Sequence, residues 1–153
     1  MPKRFQMKTK SAKKVFTQGP IAPDFIARSI AAHQAKTQIG AHDIFLGQVR
    51  ADIIEGKEVV GIDYTAYEPM AEAKFAEIRE SAFEKFELSC MHIYHSLGLV
   101  KAGEICLFVF VSAPHRQSAF DGLRYVVEEL KRQVPVFGRE IFADDSHQWK
   151  VNR

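Results

Sequence analysis

The chain has 153 residues and a mass of 17.4 kDa, enough for one domain with a buried core. Hydrophobic residues make up 46% and charged residues 26%, which excludes a disordered or fibrous chain. A formal net charge of +2 excludes a polycationic body, and no apolar run approaches the roughly 20 residues of a membrane span.

Much of the positive charge sits at the front. Lys3, Arg4, Lys8, Lys10, Lys13 and Lys14 fall in residues 1–14 with no acid among them. This basic leader reads as a solvated, poorly ordered terminus ahead of a single domain over residues 15–153. Contact with nucleic acid or an anionic surface is the alternative, but stacking aromatics are limited to Phe5 and Phe16, so no nucleic-acid partner is expected. No apolar stretch follows the leader, so it does not read as a secretory signal. Cys90 and Cys106 lie in apolar strand-like segments without metal spacing. They read as free buried thiols in a reducing compartment, which makes the cytoplasm the default location.

The first expected element is a helix from Pro23 to about Ala35, with Asp24 as N-cap and Ile26, Ile30, Ala27 and Ala31 on its apolar side. A strand follows over Asp43 to Val49, then a loop over Ala51 to Lys57 and a second strand from Glu58 to Tyr67. Pro69 opens a long helix to about Phe86, whose Ala71, Phe75, Ile78, Ala82 and Phe86 keep the 3.6-residue period. Cys90 to Ser96 reads as a strand that turns at Leu97-Gly98 and Ala102-Gly103. Glu104 to Ser112 is apolar on both alternating faces, so it reads as a central strand covered by a helix and by another sheet or subunit. A helix over about Gln117 to Gln133 buries Leu123, Val126, Val127 and Leu130, and Pro135 ends it. Val136 to Phe142 is a last strand, and the tail carries Trp149. The order predicts an α+β sandwich with a mixed or antiparallel sheet.

Three constellations carry chemistry. Gly47-Gln48-Val49-Arg50 sets an arginine at a strand end, where a fixed scaffold hands residues to a pocket; taken alone, Arg50 is more often a surface charge. Ser112-Ala113-Pro114-His115-Arg116 lies at a strand-to-helix junction, suited either to an anion or to helix capping. Lys131, followed by Pro135, Arg139 and Glu140, sits beside buried Leu130. From this stretch alone it reads first as a solvated lysine at a helix C-terminus, and otherwise as a partly desolvated amine acting as base or nucleophile. His42, His92, His95 and His147 form no ligand pattern, since His92 and His95 point to opposite faces of a strand. No dinucleotide fingerprint, phosphate loop or nucleophile elbow is present. Neither a metal nor a cofactor is expected.

Together these segments resemble the large, catalytic subunit family of molybdopterin synthase. The matching blocks are Phe45 to Arg50, Tyr64 to Ala71, Leu97-Gly98 through Gly103-Glu104, and, strongest, Ser112 to Phe120. Leu130-Lys131 through Pro135, Arg139-Glu140 and Trp149 complete an ordered set over roughly residues 40 to 150. The resemblance implies an α/β hammerhead-type fold with an additional antiparallel β-subdomain. It implies a sulfurtransferase that moves sulfur from the thiocarboxylated Gly-Gly tail of a small ubiquitin-like subunit to cyclic pyranopterin monophosphate, forming the molybdopterin dithiolene. The implied assembly is a homodimer of large subunits within a heterotetramer. Lys131 would be the catalytic residue, and Gln48, Val49, Arg50, His115, Arg116, Lys131, Arg139 and Glu140 would bind substrate. Arg50, His115, Arg116 and Lys131 should then converge on one anion-sized cleft.

Two positions depart from the family pattern. A second lysine after Pro-aromatic is replaced by Gly138, and the family's earlier His-Arg pair is His95-Ser96. If the missing cation matters, Gly138→Lys should raise activity. The alternative function is a non-catalytic member that binds the small subunit or acts as a scaffold.

Overall fold

The computed structural model describes residues 14–151, so all of the basic leader except Lys14 lies outside the described residues. Strand β1 (Phe16–Gln18) and helix α1 (Pro23–His33) come first, followed by β2 (Ala41–Gln48), β3 (Ile53–Ile54) and β4 (Lys57–Ala66). Helix α2 (Glu68–Lys85) leads to the long strands β5 (Cys90–Lys101) and β6 (Ile105–Ala113). Helix α3 (Arg116–Gln133), β7 (Val136–Phe142) and β8 (His147–Trp149) complete the chain. The strands form one sheet in the order β2-β6-β5-β4-β7-β8, antiparallel throughout; β1 joins β5 in parallel and β3 pairs with β4. The architecture is the expected α+β class. Among the described residues no helix is long and apolar enough to cross a membrane.

Strand β6 explains the layering. Its Leu107, Val109 and Val111 join Met91 and Ile93 under the apolar stripes of α2 and α3, where Ala71, Phe75, Ile78, Leu123, Val126 and Leu130 are buried. Its Phe108 and Phe110 point the other way and pack with Ile21 and Ile26 beneath α1. The second cover expected to be another sheet or subunit is therefore this chain's own first helix. Each fully buried aliphatic or aromatic side chain contributes roughly 1.5–3 kcal/mol, so both faces are needed to hold the sheet.

Four local expectations change. Helix α1 has Ala22, not Asp24, at its N-cap, and Pro23 takes the first turn, where a missing N–H is harmless; Asp24 instead pairs with Arg28 at 3.5 Å. The loop expected over Ala51 to Lys57 contains a tight hairpin, because Glu55 (φ 50°) and Gly56 (φ 81°) both take the positive φ that a type I′ turn requires. The turn expected at Leu97-Gly98 is a kink inside β5. Up to His95 the strand pairs with β6, and from Gly98 (φ 84°) it pairs with β4. One 12-residue strand thus joins the helix-covered sheet to the smaller β4-β7-β8 sheet. The tail around Trp149 is strand β8 on β7.

Candidate active site

A cleft of about 590 Å³ lies between the end of β2, the last turn of α3 and the start of β7. Strand β2 ends in a register shift at Gly47/Gln48, which turns the chain outward. Val49 stays in the core, held by bonds from its N–H to the Glu104 carbonyl (3.0 Å) and to its own carbonyl from the Gly103 N–H (2.8 Å). Arg50, one residue on, is free to lean over the cleft rim, where Asp52 holds it at 3.3 Å. Opposite stands Lys131, carried to the edge by buried Leu130 before it. The lining holds four cations, Arg50, Lys131, Arg132 and Lys150, against two acids, Asp52 and Glu140, so the cleft favours an anion.

Apart from Glu140, the floor is made of groups to which the sequence assigned no role. His95 is packed between the rings of Phe16 (6.3 Å) and Tyr64 (5.1 Å). Its Nδ1 donates to the Ser96 carbonyl at 2.8 Å, which leaves Nε2 as the lone-pair nitrogen. Burial pushes its pKa down to about 4; the carbonyl bond opposes this and the Lys131 charge adds to it. His95 is therefore a neutral imidazole at physiological pH. Burial also raises the Tyr64 phenol, with further contributions from Cys106 and Glu140. Glu140 is only 2% exposed and accepts a bond from Gln148 Nε2 at 3.1 Å.

Of the residues singled out from the sequence, the cleft brings together Gln48, Val49, Arg50, Lys131 and Glu140. His115 and Arg116 do not line it. They are exposed at the opposite end of α3 from Lys131, with His115 at the N-cap making no side-chain capping bond. Arg116 and Lys131 are fifteen residues apart on one straight element, about 22 Å at 1.5 Å per residue, so one chain cannot converge all four. Arg139 is also outside. Alternation along β7 turns it to the face opposite Glu140, where it binds Asp63 at 3.1 Å.

The two departures from the family pattern acquire physical content. Gly138 faces Tyr64 across the β4–β7 pair, and a Cβ there would stand 2.8 Å from Ile62 Cγ2 and 3.2 Å from Tyr64 Cε1. Ile62 and the tyrosine ring occupy the space that a side chain would need. Ser96 is fully buried and, by alternation, points away from the cleft that its neighbour His95 lines. Its identity does not remove a cation from the cleft.

Metal-capable groups meet elsewhere. His33, Cys90 and His92 bring their ligand atoms within 4.8 Å of one another on the α1 side of the sheet. Sequence spacing gave no hint of this, because His33 comes from a different element.

The fold and cleft define an α+β protein with a cation-rimmed, histidine-floored cleft at the junction of two sheet regions. A family model described as MoaE protein matches residues 17–133, and the chain belongs to that family. It is 35% identical over 133 residues to the molybdopterin synthase catalytic subunit of Bacillus subtilis, covering 87% of this chain and 81% of that one. It is 39% identical over 121 residues to the Aspergillus fumigatus protein of the same name, covering 79% of this chain and 64% of that one. The chain thus spans less than two thirds of some relatives, and only 31% of the Drosophila willistoni one. Among solved structures, molybdopterin synthase from Staphylococcus aureus superposes with a TM-score of 0.77 at 30% identity, covering 90% of this chain and 96% of that chain. A complex of subunits 1 and 2 of molybdopterin-converting factor from Helicobacter pylori shares the fold, with a TM-score of 0.77 at 18% identity over 91% of this chain and 90% of that one.

Proposed function

We propose that this chain is the catalytic subunit of a molybdopterin synthase. It would transfer sulfur from the thiocarboxylated C-terminus of a small ubiquitin-like subunit to cyclic pyranopterin monophosphate. The observation that carries the reading is the cleft itself, where Lys131 and Arg50 face each other across a space of about 590 Å³ above a neutral imidazole. Both reactants are anions, a phosphate ester and a thiocarboxylate, and a site for them must hold two negative charges together.

In this reading the thiocarboxylate sulfur attacks a pterin carbon, a C–S bond forms and the carbon's oxygen is displaced; water then cleaves the resulting acyl thioester, leaving the sulfur on the pterin and releasing the tail as a carboxylate. Lys131 stabilises the negative charge that develops on attack or delivers the proton to the departing oxygen. The second sulfur arrives on a second tail. Arg50 and Gln48 hold the substrate at the rim. The Nε2 lone pair of His95 is placed to accept a proton, and buried Glu140 keeps the floor polar.

A homodimer of this chain within a heterotetramer would resolve the separation of His115 and Arg116 from Lys131. The two residues would reach the cleft of a second copy. The reducing cytoplasm is the location consistent with Cys90 and Cys106 both being free.

The test is single-turnover sulfur transfer with thiocarboxylated small subunit and the pterin substrate. Lys131→Ala is expected to slow transfer by about 100-fold or more while small-subunit binding persists. An unchanged rate would remove Lys131 from the mechanism. The absence of a side chain at Gly138 favours a second reading, a non-catalytic member that only binds the small subunit. Tight binding with no transfer by the unaltered chain would establish that one.

A further inference from the structure

We propose that His33, Cys90 and His92 form a binding site for a divalent d-block cation of zinc's class, on the face of the sheet away from the cleft. Cys90 and His92 are alternate residues of β5 and so share one face, while His33 comes from the last turn of α1, which covers that face. The Nε2 atoms of His33 and His92 are 2.9 Å apart, and the Cys90 sulfur completes a triangle with all ligand atoms within 4.8 Å. A tetrahedral cation with bonds of about 2.0–2.1 Å to nitrogen and 2.3 Å to sulfur spaces its donors by roughly 3.3–3.7 Å. Side-chain rotations that open the nitrogen pair by a few tenths of an ångström and draw the sulfur in by up to about one ångström bring the three donors to that spacing.

The hydrogen-bond geometry suits a ligand set. His33 Nδ1 donates to the Ser29 carbonyl at 2.8 Å, which fixes the tautomer and leaves Nε2 as a lone pair aimed at His92. Backbone-anchored imidazoles of this kind are the usual metal ligands. The two Nε2 atoms face each other across the space a cation would occupy. Burial adds to the site's strength, since His33 is 8% and Cys90 7% exposed and the Phe110 ring lies 4.8 Å from that of His33.

The sulfur already has a positive neighbour. Lys36 Nζ donates to Cys90 Sγ at 3.1 Å. Arg79 adds a second positive charge nearby. Both oppose an incoming dication, but Lys36 is exposed on the loop after α1 and is able to turn into solvent as the cation takes its place. With three protein ligands, the fourth position is left for water. His42 stands beside the site, its ring 6.3 Å from His33 and its Nδ1 engaged with Ser112 Oγ at 2.7 Å. The set is His₂Cys, which suits zinc and cobalt(II) better than magnesium or calcium.

Cobalt(II) titration of the full chain tests this directly. A thiolate-to-cobalt band in the near ultraviolet, with the intense visible bands of tetrahedral cobalt, is expected at one equivalent. Cys90→Ser should abolish the thiolate band and Cys106→Ser should keep it. His92→Gln should weaken binding at least tenfold, and Lys36→Gln should strengthen it several-fold. As a check independent of variant folding, zinc should raise the Tm of the unaltered chain and a chelator should reverse the rise. No thiolate band with the unaltered chain, a band that survives Cys90→Ser, or a Tm unmoved by zinc overturns the site.

Discussion

Gly138 shows how one missing side chain is read differently once its neighbours are known. As a gap in a family pattern it invites a lysine, and Gly138→Lys then promises more activity. In the sheet its Cβ position lies 2.8 Å from Ile62 Cγ2, so any side chain must push β7 away from β4 or displace the Tyr64 ring. Overpacking of this kind costs about 1–3 kcal/mol. Gly138→Ala and Gly138→Lys should both lower the urea midpoint, the alanine separating the steric effect from charge. A Gly138→Lys protein as stable as the parent and faster in transfer would refute the packing account. His95 supplies a pH dependence. Its pKa is about 4 in the folded chain against 6.5 when unfolded, so between these values only the unfolded state takes up a proton. Stability is therefore flat above about pH 6.5 and falls as the pH drops toward 4, by on the order of 3 kcal/mol. Urea unfolding at a series of pH values should show the fall, and His95→Gln should flatten it.

At the scale of elements, β5 is the member on which the others depend. Its first half is a central strand between α1 and the α2/α3 layer, and its second half starts the smaller sheet. The change of partner happens at Gly98, whose φ of 84° is a conformation that other residues reach only with strain. A Cβ there would also meet Gln18 Oε1 at 3.3 Å, against the neighbouring β1. Gly98→Val should cost about 1–3 kcal/mol in chemical unfolding and loosen the cleft, which opens beside this kink. An unchanged midpoint would show that the kink is not held by Gly98. Helices α2 and α3 were legible from their apolar period because each buries a stripe that repeats along its own sequence, as Phe75, Ile78 and Ala82 do. The hairpin at Glu55-Gly56 was not legible, since its first strand, β3, is only two residues long and carries no alternating pattern.

For the molecule as a whole, the length of α3 decides the stoichiometry of the site. Lys131 and the His115-Arg116 pair stand at opposite ends of one 18-residue helix, and no flexing of a folded chain joins them. If both serve one reaction, the second copy must supply the pair. Mixing Lys131→Ala chains with Arg116→Ala chains, each inactive alone, should then restore transfer to about a quarter of the parent rate. Half the dimers would be mixed, and one of their two clefts would be intact. No restoration, with dimers confirmed by sedimentation, would place Arg116 outside the cleft chemistry.

The ordered blocks from Phe45 to Trp149 were enough by themselves to identify the family, and apolar periodicity placed the helices, because both are properties of local sequence. Arg50 and Lys131 were found for the same reason: each directly follows a core residue, Val49 or Leu130, that marks where its element leaves the interior. Only the tertiary structure brought Tyr64, His95, Cys106 and Glu140 together under Lys131, closed Gly138 against Ile62, and set His33 beside Cys90 and His92. Those meetings depend on strand register and helix docking between residues 30 to 80 positions apart, which no local pattern encodes.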